Sequence, residues 1–579
     1  MLVPLLNRVR RLWLSRELAV FHDPAYRLPL ANLEGQAGME PRRADFVAYY
    51  LLDRRVLSPQ ALRSPPAASW ADLARVHEES WLDSITLPQT LARVFATSPS
   101  EVPVDELLRS LRLACGGTLT ATWRALATGR PQLNLLGGFH HAGRGFGGGF
   151  CAVNDLAVAI ASARAHGFGG RIAVLDLDAH PPDGTADCLA ADPRCWIGSL
   201  SGARWSLPPE VDETVLEQAG DESYLAALGS LLSRMPKAEL AFVLAGGDVL
   251  QGDRLGTLAL TLDGARRRDL LVKQALAGIP SVWLPAGGYH PDAWKVLAGT
   301  ALVLALDSRR PIPPSYDPLA AKFRAIAAGL LRADLAASEA EEDAQLEVML
   351  GLRHAPRPAL LLGYYTASGL EHALMRYGIL GQLARLGYSE LRVALDPVDQ
   401  GDCLRVFGRA HATEQLLVEC VLAKKRVTEA DMLYVHWLTL RHPIATFEPS
   451  RPRLPGQEVP GLGLAREAGE MLAATARRLD LAGVAFRPAW FHTAYSARYR
   501  FRFIDPQRQG QFLALVRDLA ALPLLEATLA LAEGRVRRDD QPYTWEADEM
   551  VFFLDRPPAE DQRAAEAAQH VHFTVAPRA

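Results

Sequence analysis

Three runs of the chain are apolar along their length and then break into polar or glycine-rich residues: RIAVLDLDAH (171–180), AELAFVLAGGD (238–248) and IPSVWLPAGGY (279–289). A strand with one wet face alternates polar and apolar residues, whereas a strand covered on both faces has room for polar residues on neither. Between about residues 17 and 305 such runs alternate with Ala/Leu-rich stretches of helical length. This pattern predicts an α/β fold, an open parallel sheet with helices on both faces. In open sheets of this kind ligands bind beyond the carboxyl ends of the strands. That is where the three runs carry DxDxH, GGD and GGY.

Within the first run Asp176, Asp178 and His180 stand at i, i+2 and i+4. On an extended strand all three face the same way, with roughly 7 Å between successive Cα atoms. Carboxylate oxygen and imidazole nitrogen suit Zn²⁺, and a catalytic zinc site uses three protein ligands and keeps one position open. Asp248, at the end of the second run, is a candidate third ligand. A plainer reading makes the aspartates turn caps and His180 a packing residue. Buried carboxylates are costly unless paired or bound to a cation, and three strand ends rich in such groups favour the metal. A glycine-rich loop, GGFHHAGRGFGGGFCAVND, places His140 and His141 side by side. Alone it reads more readily as a wet turn than as a catalytic pair.

Taken together and in this order, GGFHHAGRGFGGGFCAVND, VLDLDAHPPDGT, IGSL, GGDVLQGDRLG and PAGGY resemble the zinc-dependent histone deacetylases of the arginase/deacetylase superfamily, over residues 17 to about 310. The resemblance implies that Asp178, His180 and Asp248 bind Zn²⁺, with Fe²⁺ as the alternative. It implies that His140 and His141 are tandem catalytic histidines partnered by Asp176 and Asp183, with Tyr289 completing the site. It further implies a structural K⁺ at Asp176, Ser199 and Leu200, and a narrow substrate channel lined by Gly149 and Phe150. The implied reaction is hydrolysis of the amide of acetyl-lysine in a protein or peptide, or of a related acetylated small amine. In it His141 handles the proton, His140 orients and stabilises, and Tyr289 donates to the developing oxyanion. Cys151 reads as a packed thiol.

Two departures stand out. Pro181 and Pro182 follow His180 where the family commonly has His-Gly or Gln-Gly, so the loop that must bring Asp183 to His141 differs. After SLSGARWSLPP the family's usual opposite channel wall is missing, leaving Trp205 or Leu207 to replace it. A non-catalytic protein that keeps the fold would be expected to have lost a ligand, a tandem histidine or the tyrosine, and all are present. An arginase-like ureohydrolase needs further metal-binding aspartates and a second histidine ligand, a pattern not found here.

The 579 residues are 49% hydrophobic with a formal net charge of −4, which suits an ordinary soluble protein and gives no electrostatic case for nucleic acid. Six scattered cysteines without CxxC spacing suit a reducing cytoplasm. The start, MLVPLLNRVRRLWLSRELAVFH, interrupts its apolar residues with arginines, unlike a signal peptide, and VLAGTALVLAL (296–306) is too short to cross a bilayer. These features predict a cytoplasmic chain without a membrane segment.

The predicted catalytic domain covers residues 1–330, followed by an acidic linker at 331–355 and an α+β accessory domain at 356–579. In the latter, ELRVALD, LLVECVLAKK, MLYVHWLTLRH, GVAFRP and RYRFRFID read as strands and LAREAGEMLAATARRL as a helix. Its strand, glycine loop, helix and strand are somewhat similar to the acyl-coenzyme A binding core of GNAT acetyltransferases, in degenerate form. Gly461 and Gly463 are present, but Glu458 stands where that family has Arg or Gln. His492 and Tyr495 read as core or surface residues.

Overall fold

The structure is a computed structural model and describes residues 18–30, 33, 38–336, 359–447, 452–555 and 562–577. The chain divides into two compact units, Met1–Ala321 and Lys322–Ala579. Most of the acidic segment expected as a linker, and the first 17 residues, lie outside the described part.

Eight strands of the first unit form one sheet: β1 (Val20–Phe21), β2 (Leu62–Arg63), β3 (Gln132–Asn134), β4 (Ile172–Asp176), β5 (Cys195–Ser201), β6 (Val211–Val215), β7 (Leu240–Leu244) and β8 (Ser281–Leu284). Their order is β2-β1-β3-β8-β7-β4-β5-β6, and every neighbouring pair is parallel. All residues of β4, β7 and β8 are buried, which is why these runs are apolar throughout. Each fully buried Val, Leu or Phe side chain contributes about 1.5–3 kcal/mol. The run VLAGTALVLAL lies in the helix Ala293–Leu306, buried almost all round. Among the described residues no helix is long and apolar enough to cross a membrane.

The order matters because it makes β3, β8, β7 and β4 consecutive in space although they are far apart in sequence. The loops that follow these four strands carry the two histidines, GGY, GGD and Asp178–His180 respectively, with Asp176 the last residue of β4. The His-His loop is held from below by Asp155 in the first turn of the helix Asp155–Ala165. Its buried carboxylate accepts from the amides of Gly138 and Phe139, both at 2.9 Å, and from Thr118 Oγ1 at 2.5 Å. Gly137, at φ +147°, lies so close that a Cβ would meet Asp155 Oδ2 at 2.4 Å. Glycine is the residue that fits here.

In the second unit β9 (Ser389–Val398), β10 (Gly401–Ala410), β11 (Thr413–Val427) and β12 (Ala430–Leu440) form an antiparallel meander. The helix Ala465–Arg478 then leads to β13 (Gly483–Phe486), parallel to β12. β14 (Arg502–Phe503), β15 (Val536–Arg538), β16 (Gln541–Pro542), β17 (Met550–Phe553) and β18 (Phe573–Val575) follow. The larger sheet has the order β14-β17-β13-β12-β11-β10-β9, and β16-β15-β18 form a second sheet. The strand expected over RYRFRFID shrinks to Arg502–Phe503. The amides of Arg500 and Phe501 turn back to Ala497 O, closing the helix Phe491–Ala497 instead.

Replacing Asp155 with alanine strands two buried amides and a hydroxyl at the base of the His-His loop. The expected loss is on the order of 3 kcal/mol in urea unfolding of the chain, with a smaller loss for Asp155→Asn, which keeps one acceptor oxygen.

Candidate active site

β4 stops at Asp176, so Asp178 and His180 lie in the loop beyond it and not on the extended strand expected for them. They converge with Asp248 nevertheless. One ligand atom from each of Asp178, His180 and Asp248 lies within 4.8 Å of the others. His180 Nδ1 faces both carboxylates, 3.1 Å from Asp178 Oδ1 and 3.0 Å from Asp248 Oδ2. The Gly287 amide donates to Asp178 Oδ2 at 2.6 Å and the Ala179 amide to Asp248 Oδ1 at 3.1 Å, which fixes the orientation of both carboxylates. Gly287 must be glycine for this approach, since a Cβ would meet Asp248 Oδ2 at 2.5 Å.

Burial, and then the neighbouring Asp178, push Asp248 up to about 7. Asp178 lies well below the usual range, because the His140 and His180 rings outweigh its burial. Burial lowers His180, but hydrogen bonds to the two carboxylates reverse this and push it up to about 11. From the side chains alone, the cluster is a proton- or cation-seeking centre. Two carboxylate oxygens and one imidazole nitrogen suit a divalent first-row ion.

His140 and His141 lie beside the cluster, with ring centroids 4.0 Å apart. His140 Nδ1 meets Asp176 Oδ2 at 2.9 Å and His141 Nδ1 meets Asp183 Oδ1 at 2.7 Å. The Pro181-Pro182 loop therefore does bring Asp183 to His141. It does so because Pro182 stands at the N-cap of the helix Asp183–Leu189, where the missing proline N–H is no loss. The two rings differ electrically. Burial lowers His140, but Asp176 and Asp178 overcome it and push it up to about 9. His141 is lowered by burial and by the neighbouring His140, which outweigh Asp183.

Tyr289 is buried on the loop after β8, and its amide donates to Asp253 Oδ2 at 2.7 Å. Burial, then Asp178 and Asp248, push its hydroxyl well above its ordinary value, so it stays a donor. Gly149 and Phe150 have positive φ (53° and 64°), and a Cβ on Gly149 would meet His141 Cδ2 at 2.5 Å. The Phe150 ring packs 5.6 Å from Tyr289. Trp205 lies 5.1 Å from His141, ring to ring, and 6.2 Å from His180. Of the two residues expected as the opposite wall, Trp205 is the one with a ring against the histidines. Burial pushes the Cys151 thiol up, in keeping with a packed residue.

Asp176 is paired in register with Ser199 across β4 and β5, and Leu200 is fully buried next to it. The buried Ser199 Oγ has no hydrogen-bond partner among the described residues.

Sequence reading missed Arg43, whose Nη2 donates to Ala286 O at 2.5 Å behind the Tyr289 loop, and also Asp155, Asp253 and the buried pair Arg268–Asp269. They act mainly on backbone, on each other or on buried threonine hydroxyls, and although Asp155 and Asp253 fall within the quoted motifs, nothing in the sequence gives them a role.

The profile described as the histone deacetylase domain matches residues 37–304. Histone deacetylase 2 of Arabidopsis thaliana is 30% identical over 302 residues, 49% of this chain and 77% of that protein. An uncharacterized protein of Picosynechococcus is 35% identical over 255 residues, 41% of this chain and 82% of its own. Histone deacetylase 1 of Homo sapiens is 24% identical over 320 residues, 49% of this chain and 65% of its own. The HD domain of HDA15, a solved structure, superposes with a TM-score of 0.43 at 21% identity, covering 50% of this chain and 91% of that domain. The chain belongs to the histone deacetylase family.

Proposed function

We propose that the chain is a metal-dependent deacylase that hydrolyses the amide of acetyl-lysine, in a protein or peptide, or of a related acylated amine. One observation supports this above the others. Loops from four consecutive strands bring Asp178, His180 and Asp248 within ligand distance of one another, next to two histidines of opposite electrostatic bias and a buried tyrosine hydroxyl.

Asp178, His180 and Asp248 would hold Zn²⁺, with Fe²⁺ the alternative. A divalent ion bound there polarises an amide carbonyl and lowers the pKa of water. His141, with its lowered pKa, is the neutral base that takes the proton and returns it to the leaving amine. Asp183 holds its ring through Nδ1. His140, held through Nδ1 by the buried Asp176, orients its neighbour and stabilises the reacting groups. Tyr289, kept protonated by burial, donates to the carbonyl oxygen as charge develops. The orphaned Ser199 Oγ and Asp176 are suitable donors for a structural K⁺ that includes the Leu200 segment. Phe150 and Trp205 are the proposed channel walls, with Gly149 bringing the backbone close.

Metal analysis of the purified chain is expected to find about one divalent transition ion per chain, and Asp178→Ala is expected to lose both that ion and turnover of acetyl-lysine peptides. Turnover unchanged by Asp178→Ala would refute the assignment. Tyr289→Phe should keep the ion and the fold but lower kcat about 100-fold or more, measured at saturating peptide. His141→Ala should lower kcat by about 10²–10⁴ without displacing the ion.

A further inference from the structure

Behind the Asp178–His180–Asp248 cluster lies a charged pair that none of the roles above uses. Arg268, on the helix Leu262–Ala275, is completely buried, and so is its neighbour Asp269. Arg268 Nε donates to Asp269 Oδ1 at 2.9 Å, and Asp269 Oδ2 accepts from Thr300 Oγ1 at 2.6 Å on the helix Ala293–Leu306. The other side of the guanidinium points at the sheet. Its Nη1 donates to Gly246 O at 2.8 Å and reaches Leu177 O at 3.4 Å.

These two carbonyls stand where the sheet comes apart. The Leu177 amide donates to Leu244 O at 3.0 Å just past the paired residues of β4 and β7, and the Ala245 amide donates to Leu284 O at 2.8 Å just past those of β7 and β8. Beyond these bonds the regular ladder ends, although the Gly247 amide still donates to Gly287 O at 2.9 Å, and it is Arg268 that supplies a donor to the carbonyls of Leu177 and Gly246. Asp178 follows Leu177 directly, and Asp248 is two residues beyond Gly246. Because the peptide unit is planar, holding Leu177 O also fixes the amide plane from which Asp178 departs. A rigid, planar guanidinium can touch both carbonyls and a carboxylate at once, as a lysine ammonium on its flexible stem does not.

We infer that Arg268, held in place by Asp269, is a positioning residue that ties the Asp178 loop to the Asp248 loop and so sets the affinity of the cluster for a divalent ion. The inference rests on reading that cluster as a metal centre. A charged pair serving the core alone could be exchanged for apolar residues of similar volume with no effect on the ion. A tie between ligand loops could not, since partners behind a ligand shell typically account for about 10- to 100-fold in metal affinity.

The test is Zn²⁺ affinity of the full chain, measured by competition with a chromophoric chelator, in the wild type, Arg268→Lys and the double variant Arg268→Met/Asp269→Leu. The melting temperature of each chelator-stripped protein is read alongside. Arg268→Lys keeps the charge facing Asp269, and the double variant removes both charges together, so neither strands one buried ion. The expected result is affinity about 10-fold weaker in Arg268→Lys and up to about 100-fold weaker in the double variant, with cooperative melting of the stripped proteins retained. Wild-type affinity in either variant, or a loss that merely follows lowered melting of the stripped protein, would overturn the inference alone. A wild-type chain that takes up no Zn²⁺ would overturn the metal reading and this inference with it.

Discussion

Two carboxylates, Asp178 and Asp248, are buried completely and side by side at the ends of adjacent parallel strands. Two like charges about 4 Å apart repel by about 4 kcal/mol at an effective dielectric of 20, before any cost of leaving water. The surroundings of the pair follow from that conflict. Backbone amides of Ala179 and Gly287 each supply a donor, and His180 Nδ1 sits between the two groups. Glycines at 246 and 287 let the backbone close in, where a Cβ on Gly246 would meet Asp178 Cα at 2.7 Å. A cation among three such donors resolves the repulsion that the fold otherwise has to contain.

The same charge sorts the tandem histidines. Neighbours in sequence, they experience different surroundings, because Asp176 beside His140 is fully buried whereas the Asp183 side chain beside His141 is 36% exposed. His140 also lies 3.7 Å from Asp178. It therefore gathers the negative potential of two buried carboxylates and holds a proton, and its own charge then discourages one on His141. Two titratable groups pushed apart by their environments can divide acid–base work between them. One glycine-rich loop over one pair of aspartates is enough to make the two identical rings unlike.

What the sequence displays of this arrangement is what burial forces into side chains. A strand covered on both faces must be apolar, so RIAVLDLDAH, AELAFVLAGGD and IPSVWLPAGGY were legible as strands, and the polar residues at their ends as a site. The exact end of β4 was not, because Leu177 continues the apolar pattern after the ladder has stopped; DxDxH thus looked like one face of a strand while Asp178 and His180 belong to a loop. The strand order was invisible for a different reason, since nothing local in β3 indicates that β8 will lie next to it. Asp155, Asp253, Arg43 and Arg268 were missed because they serve carbonyls and amides, which every residue has, at separations of 16 to 243 positions. In the C-terminal unit the aromatic alternation of RYRFRFID suggested a longer strand than the two residues left over by the preceding helix turn.

The two channel walls of the proposed deacylase are built on different physical terms. Phe150 is held in the left-handed region, a conformation that costs an L-residue roughly 1–2 kcal/mol and persists only when its surroundings demand it. Here they do, through its amide donating to Val94 O at 3.1 Å, the Phe95 ring 6.4 Å away and the His141 ring against Gly149. Trp205 has no such frame. It is 42% exposed in the stretch between β5 and β6, and its ring contacts are the two histidines. In the proposed deacylase such a wall, fixed by strain and packing, would define where an acyl-bearing stem lies relative to Asp178, His180 and Asp248, and moving it would disturb the His141 ring. Changing the residue or loop length of the opposite wall leaves the Phe150 backbone in place but removes a ring from His141 and His180. The two walls therefore differ in how firmly they are held: the Phe150 wall is fixed by its own backbone frame, whereas the Trp205 wall rests on ring contacts with His141 and His180.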